Sequence, residues 1–526
     1  MTTAPELAAT AGQKQLARAL HSEVDEKHGV EFDPSGSRLP SPPPSHRLTP
    51  QADALEEATV AAASPASLAS PPPEPLQRWN ESRTTILRYC FTLYAFTVMG
   101  MNDGAVGALL PYIESYYDVS YTVISCVFLA SFAGYLFAAL ANNHIHHRFG
   151  QFGVAILGSF GRLAGYLPMM FHPPFPVLPV IMIFPGLGNG VEDSGWNAWV
   201  GNMENANELL GFLHGAYGLG ATISPLIATA MVTKASLPWY TFYYLMVGLS
   251  GLGIALGAMA FWGATGQIHR ESHKSTTGQQ RTTTRRVLRE PITWLMAIFL
   301  LGYVGVEVSL GGWITTFMLN DRHAENFAAG LSVTGFWLGI TVGRLVLGFV
   351  TGRIGEKLAI TVYLLSSIGL QLLYWLVPSF IASAIFVSFL GVFLGPLFPA
   401  AVVAATKLLP HDFHVSAIGF AAAFGSGGGA LFPFAVGAIA QSKGVEVLQP
   451  IVVAILGFIL ITWCFLPGGY KRGGLENAKE NHESIGNDVV VAYRWVTSKR
   501  TAVKTPLSLP TSVNTASPAE MATISS

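Results

Sequence analysis

Charge is scarce in this chain. Of its 526 residues, 12% are Asp, Glu, Lys or Arg and 51% are hydrophobic, whereas a soluble domain carries about 25% charged residues. That balance excludes an ordinary soluble domain and points to a polytopic membrane protein. The net charge of −1 leaves no basic field for nucleic acid. Cysteine is nearly absent: Cys90, Cys126 and Cys464 stand far apart in apolar stretches, which gives neither a disulfide framework nor a metal-ligand spacing. No Gly-Lys dipeptide occurs, so there is no Walker A loop, and energy from ATP bound by this chain is not expected. No cofactor is expected. Residues 1–20 mix charges with alanine and hold no signal-peptide apolar core, so the first spanning stretch is expected to act as the targeting signal. The polar residues inside apolar stretches are scattered and form no nucleophile–base set or metal cluster, which argues against an enzyme.

What the chain does have is apolar length. Crossing a hydrocarbon core of ~30 Å takes about 20 residues. Twelve such stretches are expected, at 86–112, 121–142, 151–171, 177–201, 208–233, 239–264, 291–319, 327–351, 358–377, 380–405, 413–441 and 446–467. The polar linker 265–290 splits them into halves, 84–264 and 291–467. Residues 1–83 and 468–526 are polar, the first rich in Pro, Ser, Ala and Glu, and both are expected to be disordered tails. Lys and Arg concentrate on one side: Arg83, Arg88, Arg148, the run from Arg270 to Arg289, Arg353, Lys357, Lys407, Lys471 and Arg472. Cytoplasmic loops carry this excess, so both termini are expected to be cytoplasmic. The sequon at Asn80 then lies away from the lumen and is expected to be unused.

The halves repeat. Gly134 precedes Arg148-Phe-Gly-Gln by the same interval as Gly339 precedes Arg353-Ile-Gly-Glu. Asp103 stands four residues before Gly107, as Glu307 stands four before Gly311. Two six-helix halves related by a parallel repeat are what a major facilitator fold requires. The fold class expected is therefore all-α integral membrane, with twelve transmembrane helices in two six-helix halves.

Five segments carry a narrower resemblance. Asp193-Ser194 with Asn197 and Val200, Phe212 to Ala221 followed by Pro225, Gly305-Val-Glu307 with Trp313, Gly395-Pro396 with Pro399, and the run from Gly425 to Pro433 stand in order. Together they resemble the fucose permease-like branch of the major facilitator superfamily over most of residues 86–467. The long polar tails and Gly100-x-x-Asp103-Gly are similar to a fungal subgroup. The resemblance implies a sugar/proton symporter. In the bacterial permeases the functional acid of the first helix lies nearer its proline than Asp103 lies to Pro111, so the resemblance alone does not transfer that role. The loop signature between the second and third spans is blurred by Asn143 and His144–His147 and better kept from Gly343 to Lys357. Arg148, Arg344 and Arg353 are read from it as gating residues, with anchoring at the cytosolic side, or structure for Arg344, as the alternative.

The fourth stretch carries Glu192 and Asp193 side by side. An ionised acid at the bilayer centre costs about 2.5–3.5 kcal/mol, so these acids must border a wet cavity, find partners or hold protons. Asp193 and Asn197 share a helical face, with Glu192 about 100° around. One acid is expected to face the cavity while the other pairs or stays protonated. Asp193 is the expected proton carrier and Asn197 a ligand for solute hydroxyls; an internal salt bridge is the alternative. Arg162 can neutralise either acid or bind an anionic solute. Glu307 beside Trp313 is a carboxylate with an aromatic plate, as sugar sites have, and Trp313 as an interface anchor is the alternative. Asp103 falls in the outer half of its stretch, where a solvated position is the alternative. His214 is a relay candidate or a packing residue. The expected pathway is thus Asp103, Arg162, Glu192, Asp193, Asn197, His214, Glu307 and Trp313. The function expected is proton-coupled movement of a small polar solute, a sugar first, by a monomer in the plasma membrane with the lipid bilayer as its surroundings. Export of a small metabolite, or a non-transporting nutrient receptor, are the alternatives.

Overall fold

The computed structural model describes residues 77–267, 285–410 and 413–480. Most of both expected tails, and residues 268–284 of the central linker, lie outside the described residues. Among the described residues the chain is helical, and the one β-type contact is a bridge between Gln77 and Met203.

The helices are α1 (Arg83–Tyr117), α2 (Tyr121–Ile124), α3 (Cys126–Met169), α4 (Val177–Gly201), α5 (Ala206–Thr233), α6 (Phe242–Phe261), α7 (Pro291–Asn320), α8 (Asn326–Ile354), α9 (Glu356–Leu376), α10 (Phe380–Leu394), α11 (Leu397–Leu408), α12 (His414–Lys443), α13 (Leu448–Cys464) and α14 (Gly474–Glu480). Ten helical runs are long and apolar enough to cross a membrane, and Tyr121–Met169 is one of them. That run is two crossings, because Gly150 breaks α3 with φ 67 and ψ −159. α4 adds the last: its glycines, asparagines and two acids make it too polar for composition to select. Twelve crossings result among the described residues. The tenth bends at Gly395-Pro396, between α10 and α11.

The outer faces are greasy, and the charged groups of the crossings lie inside, within a largely apolar core. Phe349, Trp262, Leu140 and Leu376 are among the most exposed side chains, while Arg162, Asn189, Glu192 and Glu307 are buried. A chain surrounded by lipid must satisfy its polar groups internally, so these groups pair inside while apolar residues fill both the core and the outer face.

An interval of 205 residues relates the halves. It carries Gly150 onto Gly355, and both have positive φ, 67° and 96°, where only glycine turns the chain without a Cβ penalty. It carries the crossing of α3 over α4 onto that of α8 over α10. A Cβ on Gly134 would strike the Ile183 carbonyl, and one on Gly339 the Ser388 carbonyl. Gly186 meets the Ser131 carbonyl as Gly391 meets that of Phe336. Small residues at such crossings let membrane helices pack backbone to backbone. Three seams then join the halves: α1 against α7, α5 against α8, and the first crossing of α3 against α12.

Two stretches expected as free tail are docked. Arg78 pairs with Glu204 at 2.5 Å beside the Gln77–Met203 bridge. Beyond the last crossing, Glu476 of α14 meets Lys407 at 2.7 Å, and Lys407 also pairs with Glu356.

Candidate functional site

A cavity of about 240 Å³ lies between the halves. α1, α3, α4 and α5 line one side; α7, α8, α11 and α12 line the other. Its far end, away from the start of α1 and from α14, is shut by contacts across the halves. The Gln441 side chain accepts from the Tyr121 backbone N–H at 2.8 Å, and Asn320 Nδ2 donates to the Tyr121 hydroxyl at 2.7 Å. Gly107 packs so tightly on the Gly311 backbone that no side chain fits between them.

The first acid comes from α1. Gly100 and Gly104 let α1 press on the α5 backbone at Tyr217 and Ala221, which sets Asp103 beside Tyr217. The Tyr217 hydroxyl donates to Asp103 Oδ2 at 2.8 Å and Asn102 Nδ2 donates to Oδ1 at 2.8 Å. Tyr166 in turn donates to Asn102 at 2.9 Å. Asp103 therefore lies in the wall of the cavity, not in an outer solvated position.

Asp193 of α4 is the second acid in that wall. Asn197 Nδ2 donates to its carboxylate at 2.8 Å, and His214 Nε2 donates to Asn197 Oδ1 at 3.2 Å. Asn197 stands behind Asp193 as a brace. His214 lines the cavity, its ring between Phe96 and Phe398. Among the described residues neither Asp103 nor Asp193 has an ion-pair partner.

Across the cavity, Arg344 of α8 pairs with Glu307 of α7 at 2.8 Å. Arg344, read from the sequence as a gating or a structural residue, lines the cavity, because α8 turns the side of Trp337, Thr341 and Arg344 inward. Arg148 and Arg353 are exposed at the end that bears the start of α1 and make no ion pair with a described residue. Their shared position marks the glycine turn two residues on.

Two expected pathway groups stand elsewhere. Arg162 and Glu192 form a buried pair at 2.6 Å between α3 and α4. Ser159 Oγ donates to Glu192 Oε1 at 3.2 Å and Arg162 Nη1 donates to Asn189 Oδ1 at 3.3 Å. The 100° step from Asp193 turns Glu192 into the half-bundle, so the pair does not line the cavity. Trp313 is likewise not a plate for solute. It is fully buried, its Nε1 donates to the Pro433 carbonyl at 3.0 Å, and Tyr121 meets its ring edge-on at 5.7 Å. It belongs to the far-end closure. The aromatic residues on the cavity are Phe96, Phe128, Phe132, Tyr135, Tyr217, Trp337 and Phe398. Sequence reasoning gave these no role, nor Asn102. The spacing of Trp337, Thr341 and Arg344 on one helical face was the signal available for Trp337.

The arrangement offers two unpaired carboxylates with hydroxyl and amide donors on one side, a carboxylate–guanidinium pair on the other, and aromatic faces between. It can hold a small polar solute and bind protons.

The chain matches the Major Facilitator Superfamily over residues 92–324 and 307–510. It is 30% identical over 406 residues to bypass of stop codon protein 6 of Saccharomyces cerevisiae, a match covering 71% of this chain and 81% of that protein. The glucose/mannose transporter GlcP of Bacillus subtilis is 23% identical over 361 residues, covering 66% and 87%. Among solved structures, a single-residue variant of the Escherichia coli fucose:proton symporter FucP matches with a TM-score of 0.54 at 14% identity, covering 73% of this chain and 99% of that one.

Proposed function

This chain belongs to the major facilitator superfamily, and from that premise we propose that it carries a small polar solute, a sugar first among the candidates, together with a proton. That it is a multi-pass membrane transporter and not an enzyme follows from the family. The finer reading is supported above all by one observation: Asp103 and Asp193 share a cavity between the halves with no basic partner among the described residues. A charged carboxylate removed from water without a counter-ion is costly, and a proton removes the charge.

Asp193 holds the proton, and Asn197 with His214 keeps its carboxylate aimed at the cavity. Glu307 and Arg344 take solute hydroxyls, and the rings of Trp337, Tyr217 and Phe398 shape the apolar faces. The halves rock about this fixed site and open it to one side and then the other. The far-end closure at Tyr121, Trp313, Asn320 and Gln441 opens in one of those states. Arg83, Arg88, Arg148, Arg353 and Lys407 all lie toward the end that bears the start of α1, and we place that end, with both termini, in the cytoplasm by the excess of basic residues there. The fucose permease-like resemblance and the glucose/mannose transporter relative favour a sugar. We further take the protein to act as a monomer at the plasma membrane.

Uptake of labelled D-glucose, D-mannose, L-fucose, a polyol and an amino acid into cells expressing the chain, with and without a protonophore, tests this. Accumulation of a sugar that the protonophore abolishes is the expected result. Accumulation indifferent to the protonophore overturns the proton coupling, and flux of the amino acid alone overturns the sugar.

A further inference from the structure

Tyr217 touches the charged groups of both halves. Its hydroxyl donates to Asp103 Oδ2 at 2.8 Å, and its ring lies 5.9 Å from the guanidinium carbon of Arg344, the partner of Glu307. Trp337 of α8 meets the same ring edge-on at 6.4 Å. The next residue, Gly218, lets α5 close on α8, since a Cβ there would press on the Thr341 side chain. One turn on, Thr222 Oγ1 lies 3.4 Å from Thr341 Oγ1. Tyr217 thus sits in the α5–α8 seam, where one half moves against the other.

The titratable and charged groups around it come from five further elements: Asp103 from α1, Tyr135 from α3, Asp193 from α4, Glu307 from α7 and Arg344 from α8. α5 itself adds His214, while α11 and α12 present only uncharged side chains to the cavity. Of these groups, Asp103 is the one the Tyr217 hydroxyl bonds.

Building on the proton-coupled reading above, we propose that Tyr217 is the positioning residue that ties the charge on Asp103 to the α5–α8 seam. With Asp103 ionised, the phenol is held as a donor to a carboxylate and its ring is fixed beneath Arg344, so the seam is fastened. A proton that binds Asp103 on its way to Asp193, which lines the same cavity, neutralises the carboxylate. The charge-assisted hydrogen bond becomes a neutral one, roughly half as strong, the ring is freed from Arg344, and α8 can slide. The proton passes from Asp103 to Asp193, the carrier named above, and the phenol returns to its donor position. Tyr217 keeps its own proton throughout; the O–H bond at Asp103 is the one formed and broken.

The test uses the intact chain in proteoliposomes, with labelled D-glucose, D-mannose and L-fucose as probes. Accumulation under an imposed proton gradient and exchange at equal pH are measured for the parent, Tyr217→Phe, Tyr217→Leu, Asp103→Asn and the Tyr217→Phe/Asp103→Asn double variant. Tyr217→Phe keeps the ring and removes the donor. It should lower the ratio of accumulation to exchange about tenfold, the scale of one lost charge-assisted hydrogen bond. Tyr217→Leu should lower the ratio at least as far, and Tyr217→Phe should cost nothing further when Asp103→Asn is already present. A parental ratio in Tyr217→Phe overturns the inference, as does a full additional loss in the double variant. A residue that only packs would reduce accumulation and exchange together and leave the ratio unchanged, which also overturns it. The parent alone is the separate control: exchange without proton-driven accumulation there removes the proton-coupled reading and this inference with it, before any Tyr217 variant is considered.

Discussion

Glu192 and Asp193 are neighbours in sequence with opposite surroundings. Glu192 is sealed against Arg162 inside the first half, while Asp193 opens on the cavity. That one acid would pair and the other face the cavity was legible, because two charged carboxylates in one apolar helix cannot both go unmatched. The assignment followed from the Asp193–Asn197 spacing. That Arg162 belongs to the pair rather than to the pathway was not legible, since the approach of α3 to α4 depends on glycines such as Gly158, where a Cβ would strike Glu192 itself. The pair predicts a stability result. Replacing one partner leaves a buried charge uncompensated, at a cost of about 3–5 kcal/mol, whereas replacing both with apolar groups is close to neutral. Arg162→Met or Glu192→Leu should lower the thermal unfolding midpoint in detergent sharply, and the double variant should recover most of it. Additive losses in the double variant would mean that the pair is not the source.

Trp313 shows what a sequence motif leaves open at the scale of an element. Beside Glu307 it read as a sugar plate, but the six-residue step from Glu307 turns it away from the cavity and onto the Pro433 carbonyl. Trp313→Ala should leave the apparent affinity for solute unchanged while altering the rate of exchange; a weakened affinity with an unchanged rate would restore the plate. The helix crossings make a second prediction. Gly186 and Gly391 occupy equivalent places, each against a backbone carbonyl of the neighbouring helix, whereas Gly348 faces open space. Alanine at 186 or 391 should destabilise the protein to a similar degree. Alanine at 348 should be neutral or mildly stabilising, since alanine in a helix is favoured over glycine by up to about 1 kcal/mol. Thermal unfolding of the three variants checks this, and equal behaviour at all three positions would refute the crossing account.

Across the whole molecule the twelve crossings, the two halves and their repeat were all readable, because lipid imposes length and apolarity on each crossing and glycine marks each turn. The chemistry of the site was less readable, because the repeat supplies the frame and not the residues. The 205-residue interval carries Asp193 onto Phe398 and Asn102, not Asp103, onto Glu307, so the Asp103–Glu307 match read from the sequence is one residue out of register and the two walls of the cavity differ. Rocking of the halves predicts that fastening the far end stops transport. A Cβ at Gly437 would lie 2.6 Å from that of Ser125 and 2.7 Å from the Trp313 ring, so cysteines at these two positions can join once the helices part to the about 3.5–4.5 Å Cβ separation of a disulfide. In a background with Cys90, Cys126 and Cys464 replaced by serine, oxidation of Ser125→Cys/Gly437→Cys should abolish exchange and reduction should restore it; exchange that survives a complete crosslink would contradict the rocking.

The central claim is that an unpaired acid in the shared cavity carries the coupling proton. Its most direct measurement compares the parent with Asp193→Asn in proteoliposomes, following labelled sugar under an imposed proton gradient and at equal pH. The account predicts that the variant still exchanges solute at equal pH but no longer concentrates it. Concentration of solute to the parental level by Asp193→Asn would contradict it.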